Sequence, residues 1–169
     1  WACPHLEHLK RQKAYMVDNM LKEIKDRLIK AEGLALFPYE CSAKPPRTSI
    51  GVGRNLIDVG ISEDEAMYML DNDIKRVLEE LDQHWDVWRT FPVDAQMVCV
   101  DLVFNLGITG FMRFSRTRYY MENGDFLAAS EELLRSKYHI QLPRRSEDNS
   151  RMLALCHKNL ANNLTKPSD

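Results

Sequence analysis

One carboxylate, one thiol and two hydroxyls lie within a short stretch of this sequence. Eight residues separate Glu32 from Cys41, and the hydroxyl residues Thr48 and Ser49 follow further on. A carboxylic acid held beside a small sheet can protonate a leaving oxygen in general acid catalysis. The stretch therefore makes Glu32 a candidate general acid, although a lone charge at a helix end is more often a solvated surface residue.

The next segment is a predicted strand in which glycine alternates with apolar residues. Gly51 and Gly53 alternate with Ile50 and Val52, so that one face of the strand carries no side chain. Such a face lets another group approach the backbone, and a tight bend or bulge is the alternative. The spacing alone favours the bend.

The sequence contains no other catalytic signature. It has no Gly-rich phosphate loop, nucleophile elbow or zinc signature. Cys3, His5 and His8 have no fourth ligand nearby, so we predict no metal there. We also predict that the protein needs no organic cofactor.

Length and composition limit the class of protein. The 169 residues are 44% hydrophobic, enough for one core, and the net charge of -2 implies no polybasic surface for nucleic acid. Charges interrupt the apolar runs, which predicts neither a transmembrane helix nor a signal peptide in this sequence. The cysteines are widely spaced and are predicted to be reduced. They are Cys3, Cys41, Cys99 and Cys156.

The pattern before and after the candidate stretch predicts elements that hold it in place. Apolar residues recur at helical intervals from Leu6 to Lys30, with a predicted break at Val17-Asp18-Asn19 and a helix end at Gly33. Residues 34–56 favour a small antiparallel hairpin sheet. Ser62 to Glu65 has the form of a capping box that opens the next helix.

The rest of the chain predicts more helices. The apolar run from Met97 to Leu106 indicates a buried central helix that ends at Gly107, within which Asp101 is a cap or a buried salt-bridge partner. Further helical segments are predicted around residues 111–121, at 126–138 and, after Pro143, at 146–160. The predicted fold is α+β and mainly helical, with one domain over residues 18–160, an extension over 1–17 and a tail over 161–169.

Several motifs in a fixed order make the sequence resemble the phage-type lysozymes, glycoside hydrolase family 24, which include the T-even phage enzyme. Members carry a catalytic Glu, eight residues, an Asp or Cys, and then a Thr before an Ile-Gly-x-Gly strand, where this sequence has Glu32, Cys41 and Ser49. The match continues through Arg54-Asn55-Leu56, Gly60-Ile61-Ser62, Glu65-Ala66, Asp73-Ile74, Phe104-Asn105-Leu106-Gly107, Thr109-Gly110, Phe114, Gly124-Asp125, Ala128-Ala129 and Ser136-Lys137-Tyr138. It covers roughly Asp18 to Leu155.

The resemblance implies a lysozyme-like fold, in which a small sheet lobe, about residues 34–60, and a larger helical lobe flank a substrate cleft. It implies a monomeric muramidase that hydrolyses the β-1,4 bond between N-acetylmuramic acid and N-acetylglucosamine in peptidoglycan. Glu32 would be the general acid, and Cys41 would position or activate water. Ser49 would take the family's Thr position, with Thr48 as a neighbouring substitute.

The resemblance also implies supporting residues. Those that would bind the glycan are Gly51, Gly53, Asn105, Thr109 and Arg145. Arg144 or Arg145 would pair with Glu32, as the corresponding family Arg does. A family His that faces an acid is replaced here, which predicts an ion pair between Arg54 and Asp73.

The sequence departs from the family around Cys41. A thiol of ordinary pKa is only a few per cent thiolate at pH 7, whereas an Asp would be ionised. Seven residues separate Cys41 from Ser49, two more than in the family, and the turn contains Pro45-Pro46. Lys44 and Arg47 are the nearby cations.

Two alternatives stay open: a lysozyme-fold protein that binds glycan or a structural partner without cleaving it, and a transglycosylase with the same acid. As a phage lysin, the protein would be made in the host cytoplasm and act at the periplasm or cell wall.

Overall fold

The computed structural model describes residues 4–41 and 46–164. The chain divides into two compact units, residues 1–66 and 67–169. The described residues form seven α-helices, one 3-10 helix and a three-stranded antiparallel sheet, which confirms the predicted α+β, mainly helical class. The predicted sheet lobe falls within the first unit.

The first helix, α1 (Pro4–Glu32), is continuous, so the predicted break at Val17-Asp18-Asn19 is wrong. Asp and Asn cost only about half a kcal/mol each in an exposed helix interior, and the apolar periodicity runs through them. The predicted helix end is confirmed, because Gly33 has a φ of 78° and its N–H donates to the carbonyl of Ile29 at 2.8 Å. Glu32 is therefore the last residue of α1.

The sheet follows as β1 (Ala35–Glu40), β2 (Thr48–Gly51) and β3 (Arg54–Asn55), in the order β1-β2-β3. Both neighbouring pairs are antiparallel, with β2 in the centre. The N–H of Cys41 donates to the carbonyl of Arg47 at 2.9 Å, which continues the β1–β2 ladder by one pair. The predicted Pro45-Pro46 turn begins outside the described residues.

The glycine-striped strand ends in a tight turn. Val52 and Gly53 form the turn between β2 and β3. Gly51 and Gly53 have φ values of 67° and 68°, which only glycine adopts readily. The bend favoured by the sequence is therefore present.

The predicted capping box opens α2 (Glu63–His84). The N–H of Ser62 donates to Oε2 of Glu65 at 2.8 Å, and the N–H of Glu65 donates to the Ser62 hydroxyl at 3.2 Å. The guanidinium of Arg54 bonds the same carboxylate, and its Nε donates to the carbonyl of Gly60 at 2.8 Å. Glu65 thus ties the end of the sheet to the start of α2.

These bonds give the first unit an acid-sensitive contact. The backbone N–H of Ser62, then its hydroxyl and Arg54, hold the pKa of Glu65 below its usual 4.5. A carboxyl with a lowered folded-state pKa contributes stability above its unfolded-state pKa and loses it as the pH falls. We expect wild-type stability to fall more than that of Glu65→Gln between about pH 5 and 3. Denaturation midpoints across that range measure this, and Glu63→Gln, on the same turn, should behave like the wild type.

The second unit contains the rest of α2 and the remaining helices. These are a 3-10 helix (Asp86–Thr90), α3 (Val93–Met112), α4 (Ser115–Glu122), α5 (Phe126–Leu134), α6 (Lys137–Gln141) and α7 (Pro143–Leu164). The helix predicted at 126–138 is two helices, because Ser136 caps α6 by accepting the N–H of His139. The last helix begins at Pro143, since proline is favoured at the first helical position.

The predicted central helix is confirmed in α3. Its fully buried residues are Ala95, Val98, Cys99, Leu102, Val103 and Phe111. Gly107, where the helix was predicted to end, has a φ of 67° and kinks α3, which continues beyond it to Met112. By length and composition, α3 is the one described helix that would reach across a membrane, which the sequence pattern did not indicate. Its buried residues belong to the hydrophobic core, and 33% of the apolar window is buried.

The described cysteines are reduced, as predicted. Cys99 and Cys156 are buried, and Cys41 is half-buried. Burial raises the pKa of the Cys99 and Cys156 thiols. Cys3 lies outside the described residues.

Candidate active site

Glu32 lies against the glycine turn of the sheet. Its side chain is exposed at the end of α1, and its Oε2 is 3.5 Å from the position that a Cβ on Gly53 would occupy. The sequence predicted either a bend or a close approach at this strand. Gly53 lies in the bend, and the candidate acid is at ordinary van der Waals distance from the position that its side chain would occupy.

The register of the sheet separates Ser49 from Thr48. Ser49 pairs with Tyr39, Thr48 pairs with Glu40, and Cys41 follows one residue later. Because side chains alternate between the faces of a sheet, Ser49 lies on the face of Cys41 and Thr48 on the opposite face. Ser49 is also buried, with 4% of its surface exposed, while Thr48 is half-buried. Ser49 is thus the hydroxyl that the backbone places with the thiol.

Of the two cations predicted near the thiol, Arg47 is in the described part of the chain and Lys44 is outside it. Arg47 stands opposite Cys41 in the ladder, but its guanidinium pairs with Asp58. Asn55 also donates to Asp58, at 3.1 Å. The positive charge of Arg47 is therefore partly neutralised by an acid.

Arg54 and Asp73 have charged partners within their own units. Arg54 pairs with Glu65 at the capping box, and Asp73 pairs at 2.9 Å with Arg76, one turn along α2. The sequence pattern indicated neither partner. The pair predicted between Arg54 and Asp73 stays a prediction, with both side chains already engaged elsewhere.

Asn105 and Thr109 flank the kink of α3. Both side chains are exposed, one on each side of Gly107. A cavity of about 460 Å³ lies beside the kink in the second unit. The residues that line it include Leu106, Gly110, Arg113, Arg116, Glu132 and Lys137. The basic side chains there outnumber the acidic one, and the sequence motifs included Lys137 but neither arginine.

Arg145 belongs to a network that joins α7 to α3. Its Nε donates to both oxygens of Asp101 at 3.1 and 3.0 Å, and its Nη2 donates to Oδ1 at 2.7 Å. Asn149, one turn along α7, donates to Oδ2 at 2.6 Å. The prediction that Asp101 is a salt-bridge partner is confirmed, although the residue is half-buried.

The electrostatics of the network agree with its geometry. The hydrogen bonds that Arg145 donates to the Asp101 carboxylate raise the pKa of the guanidinium. Burial, followed by the negative charge of Asp101, raises the pKa of the nearby Tyr138 hydroxyl. Both residues therefore keep their protons at neutral pH.

No group of three or more His, Cys, Asp or Glu side chains that could hold a metal ion occurs among the described residues. What those residues do bring together, in the first unit, is a carboxylate beside a glycine turn and a thiol and hydroxyl on one face of the adjoining sheet.

Comparison with known proteins connects these features. A family model described as phage lysozyme matches residues 29–148. The matched range contains the candidate acid, the thiol, both hydroxyls and the Asp101–Arg145 pair. No curated protein matches the chain.

Proposed function

Since this chain belongs to the phage lysozyme family, we propose that it is a muramidase of bacterial peptidoglycan. The bond cleaved is the β-1,4 linkage between N-acetylmuramic acid and N-acetylglucosamine. The observation that carries the proposal is the position of Glu32 against Gly53, beside the sheet that holds Cys41 and Ser49 on one face.

Glu32 acts as the general acid. Its carboxyl donates a proton to the glycosidic oxygen as the bond to the anomeric carbon breaks, and the leaving sugar departs as an alcohol. Water attacks the anomeric carbon from the opposite face. The Cys41 thiolate accepts a proton from this water, and the Ser49 hydroxyl helps to orient it. Direct attack by water inverts the configuration at the anomeric carbon.

Three residues of the second unit bind the glycan in this proposal. Asn105 and Thr109 offer exposed polar groups on either side of the α3 kink. Arg145 offers a guanidinium that Asp101 orients. Hydroxyl and N-acetyl groups of sugars accept hydrogen bonds from such side chains and donate hydrogen bonds to them.

Gly53 gives the proposal a local test. We expect Gly53→Ala and Gly60→Ala each to lose about 1 kcal/mol of stability, because both positions have positive φ. Activity should separate them: Gly53→Ala places a methyl against the Glu32 carboxylate and should lower kcat/KM about tenfold more. Gly60 has nothing within 4 Å of a new Cβ and is the matched control. Equal activity losses would show that the approach of Glu32 to Gly53 has no role.

Release of soluble glycan from purified peptidoglycan tests the function itself. The proposal predicts soluble fragments with new reducing ends. A transglycosylase would instead give 1,6-anhydro ends, which carry no reducing group. Binding without release would establish a glycan-binding protein.

One observation favours that non-catalytic alternative. The Arg47–Asp58 pair reduces the positive charge available to stabilise a thiolate at Cys41. The alternative therefore predicts that the protein co-sediments with peptidoglycan and leaves its reducing-end content unchanged.

The proposed biological setting is lysis by a phage. The enzyme would be made in the host cytoplasm and act as an endolysin once it reaches the wall. Expression in bacteria should then cause lysis only after the inner membrane is permeabilised, and lysis without permeabilisation would contradict this setting.

A further inference from the structure

We propose that Asp101 is a positioning residue that, together with Asn149, fixes the guanidinium of Arg145 for binding a neutral oxygen of the glycan. The inference rests on the proposed muramidase function, because that function assigns Arg145 to the substrate. It adds two residues that act through Arg145 without touching the glycan.

The hydrogen bonds leave one edge of Arg145 available. The carboxylate of Asp101 accepts hydrogen bonds from Nε and Nη2 of Arg145. Its Oδ2 also accepts a hydrogen bond from the side chain of Asn149. Nη1 has no hydrogen-bond partner among the described residues of the second unit. Because a guanidinium is planar, fixing Nε and Nη2 also fixes the direction in which Nη1 donates.

Stability alone does not account for this arrangement. The side chains of Arg145 and Asp101 are 38% and 31% exposed, so solvent screens part of their attraction, although the bidentate geometry makes this pair stronger than most surface ion pairs. Asp101 also interrupts the apolar sequence of α3, where a hydrophobic residue would pack at least as well. The arrangement does favour binding, because a guanidinium that is already fixed loses less side-chain entropy than a mobile one when a ligand binds.

The charge balance indicates the kind of oxygen that is bound. Asp101 neutralises Arg145 at contact distance, so the remaining edge acts as a directional donor more than as a net positive charge. Such a donor suits the hydroxyl and N-acetyl carbonyl oxygens of a glycan. An unpaired Arg would favour carboxylates and would depend strongly on salt.

The test combines Asp101→Asn and Asn149→Ala with Arg145→Ala. We expect Asp101→Asn to raise KM about tenfold with little change in kcat, and Asn149→Ala to do so more weakly. In an Arg145→Ala background, Asp101→Asn should cause no further loss, because both act through one side chain. Asp148→Asn is the control, since Asp148 pairs with Arg151 on the exposed side of α7 and should leave KM unchanged.

Two results would overturn the proposal: losses from Asp101→Asn and Arg145→Ala that add in full, or an unchanged KM in Asp101→Asn. A wild-type protein without activity would instead refute the muramidase function. The positioning claim would then be read from the Nε–H resonance of Arg145, which should exchange slowly with water in the wild type and rapidly in Asp101→Asn. Equal exchange rates in the two proteins would contradict it.

Discussion

Glu32→Gln is expected to slow the release of soluble glycan from peptidoglycan by about a thousandfold, because the amide cannot donate the proton that the leaving oxygen requires. The fold should be unaffected. Glu32 is exposed at the carboxyl end of α1, where the helix dipole disfavours a negative charge, so the variant should melt at the same temperature or slightly higher. Rates of glycan release and melting temperatures measure the two effects.

Glu40→Gln is the matched control for this substitution. Glu40 is also an exposed carboxylate of the first unit and lies at the end of β1, opposite Thr48, on the face away from Cys41. It should keep wild-type activity. Equal activity in the Glu32→Gln protein and the wild type would refute the assignment of the acid, and a large drop in melting temperature would mean that the lost activity reflects unfolding.

Cys41→Ala is expected to lower activity about a hundredfold, whereas Cys41→Asp should stay within about tenfold of the wild type. Both an ionised Asp and a thiolate accept a proton from water, and a methyl group does not. The pH dependence separates the two active proteins. Activity of the wild type should rise with pH through the range in which a thiol ionises, while that of Cys41→Asp should already be at its plateau near neutral pH.

Cys41→Ser resolves what the thiol does. A hydroxyl can orient water but does not ionise in this range, so loss in both the Ser and Ala variants indicates a base, and loss in Ala alone indicates orientation. Wild-type activity in Cys41→Ala would show that Cys41 only fills space at the end of β1. Substituting Asp58 by Asn adds a directional check, because removing the partner of Arg47 should shift the activity profile to lower pH.

Local sequence patterns predicted much of the fold. The capping box at Ser62 and the helix end at Gly33 were predicted at the observed residues, because each depends on a contact within a few positions of the chain. The break predicted at Asp18-Asn19 failed for the opposite reason. A weak local preference there is outweighed by the apolar periodicity on either side.

Local sequence patterns could not identify ion-pair partners that are distant in the sequence. Asp101 was identified as an ion-pair partner, but Arg145 is 44 positions away, and only the packing of α7 on α3 selects it. The partners of Arg54 and Arg47 were missed for the same reason. The choice between Ser49 and Thr48 needed the strand register, since a shift of one residue exchanges the two faces of a sheet.

Digestion of purified peptidoglycan in H₂¹⁸O shows whether the protein hydrolyses the one bond proposed. Mass spectrometry of the soluble products should find ¹⁸O at C1 of a reducing-end N-acetylmuramic acid. The label should be absent when the Glu32→Gln protein is used. Reducing ends on N-acetylglucosamine, 1,6-anhydro ends without label, or no soluble product from the wild type would each contradict the claim.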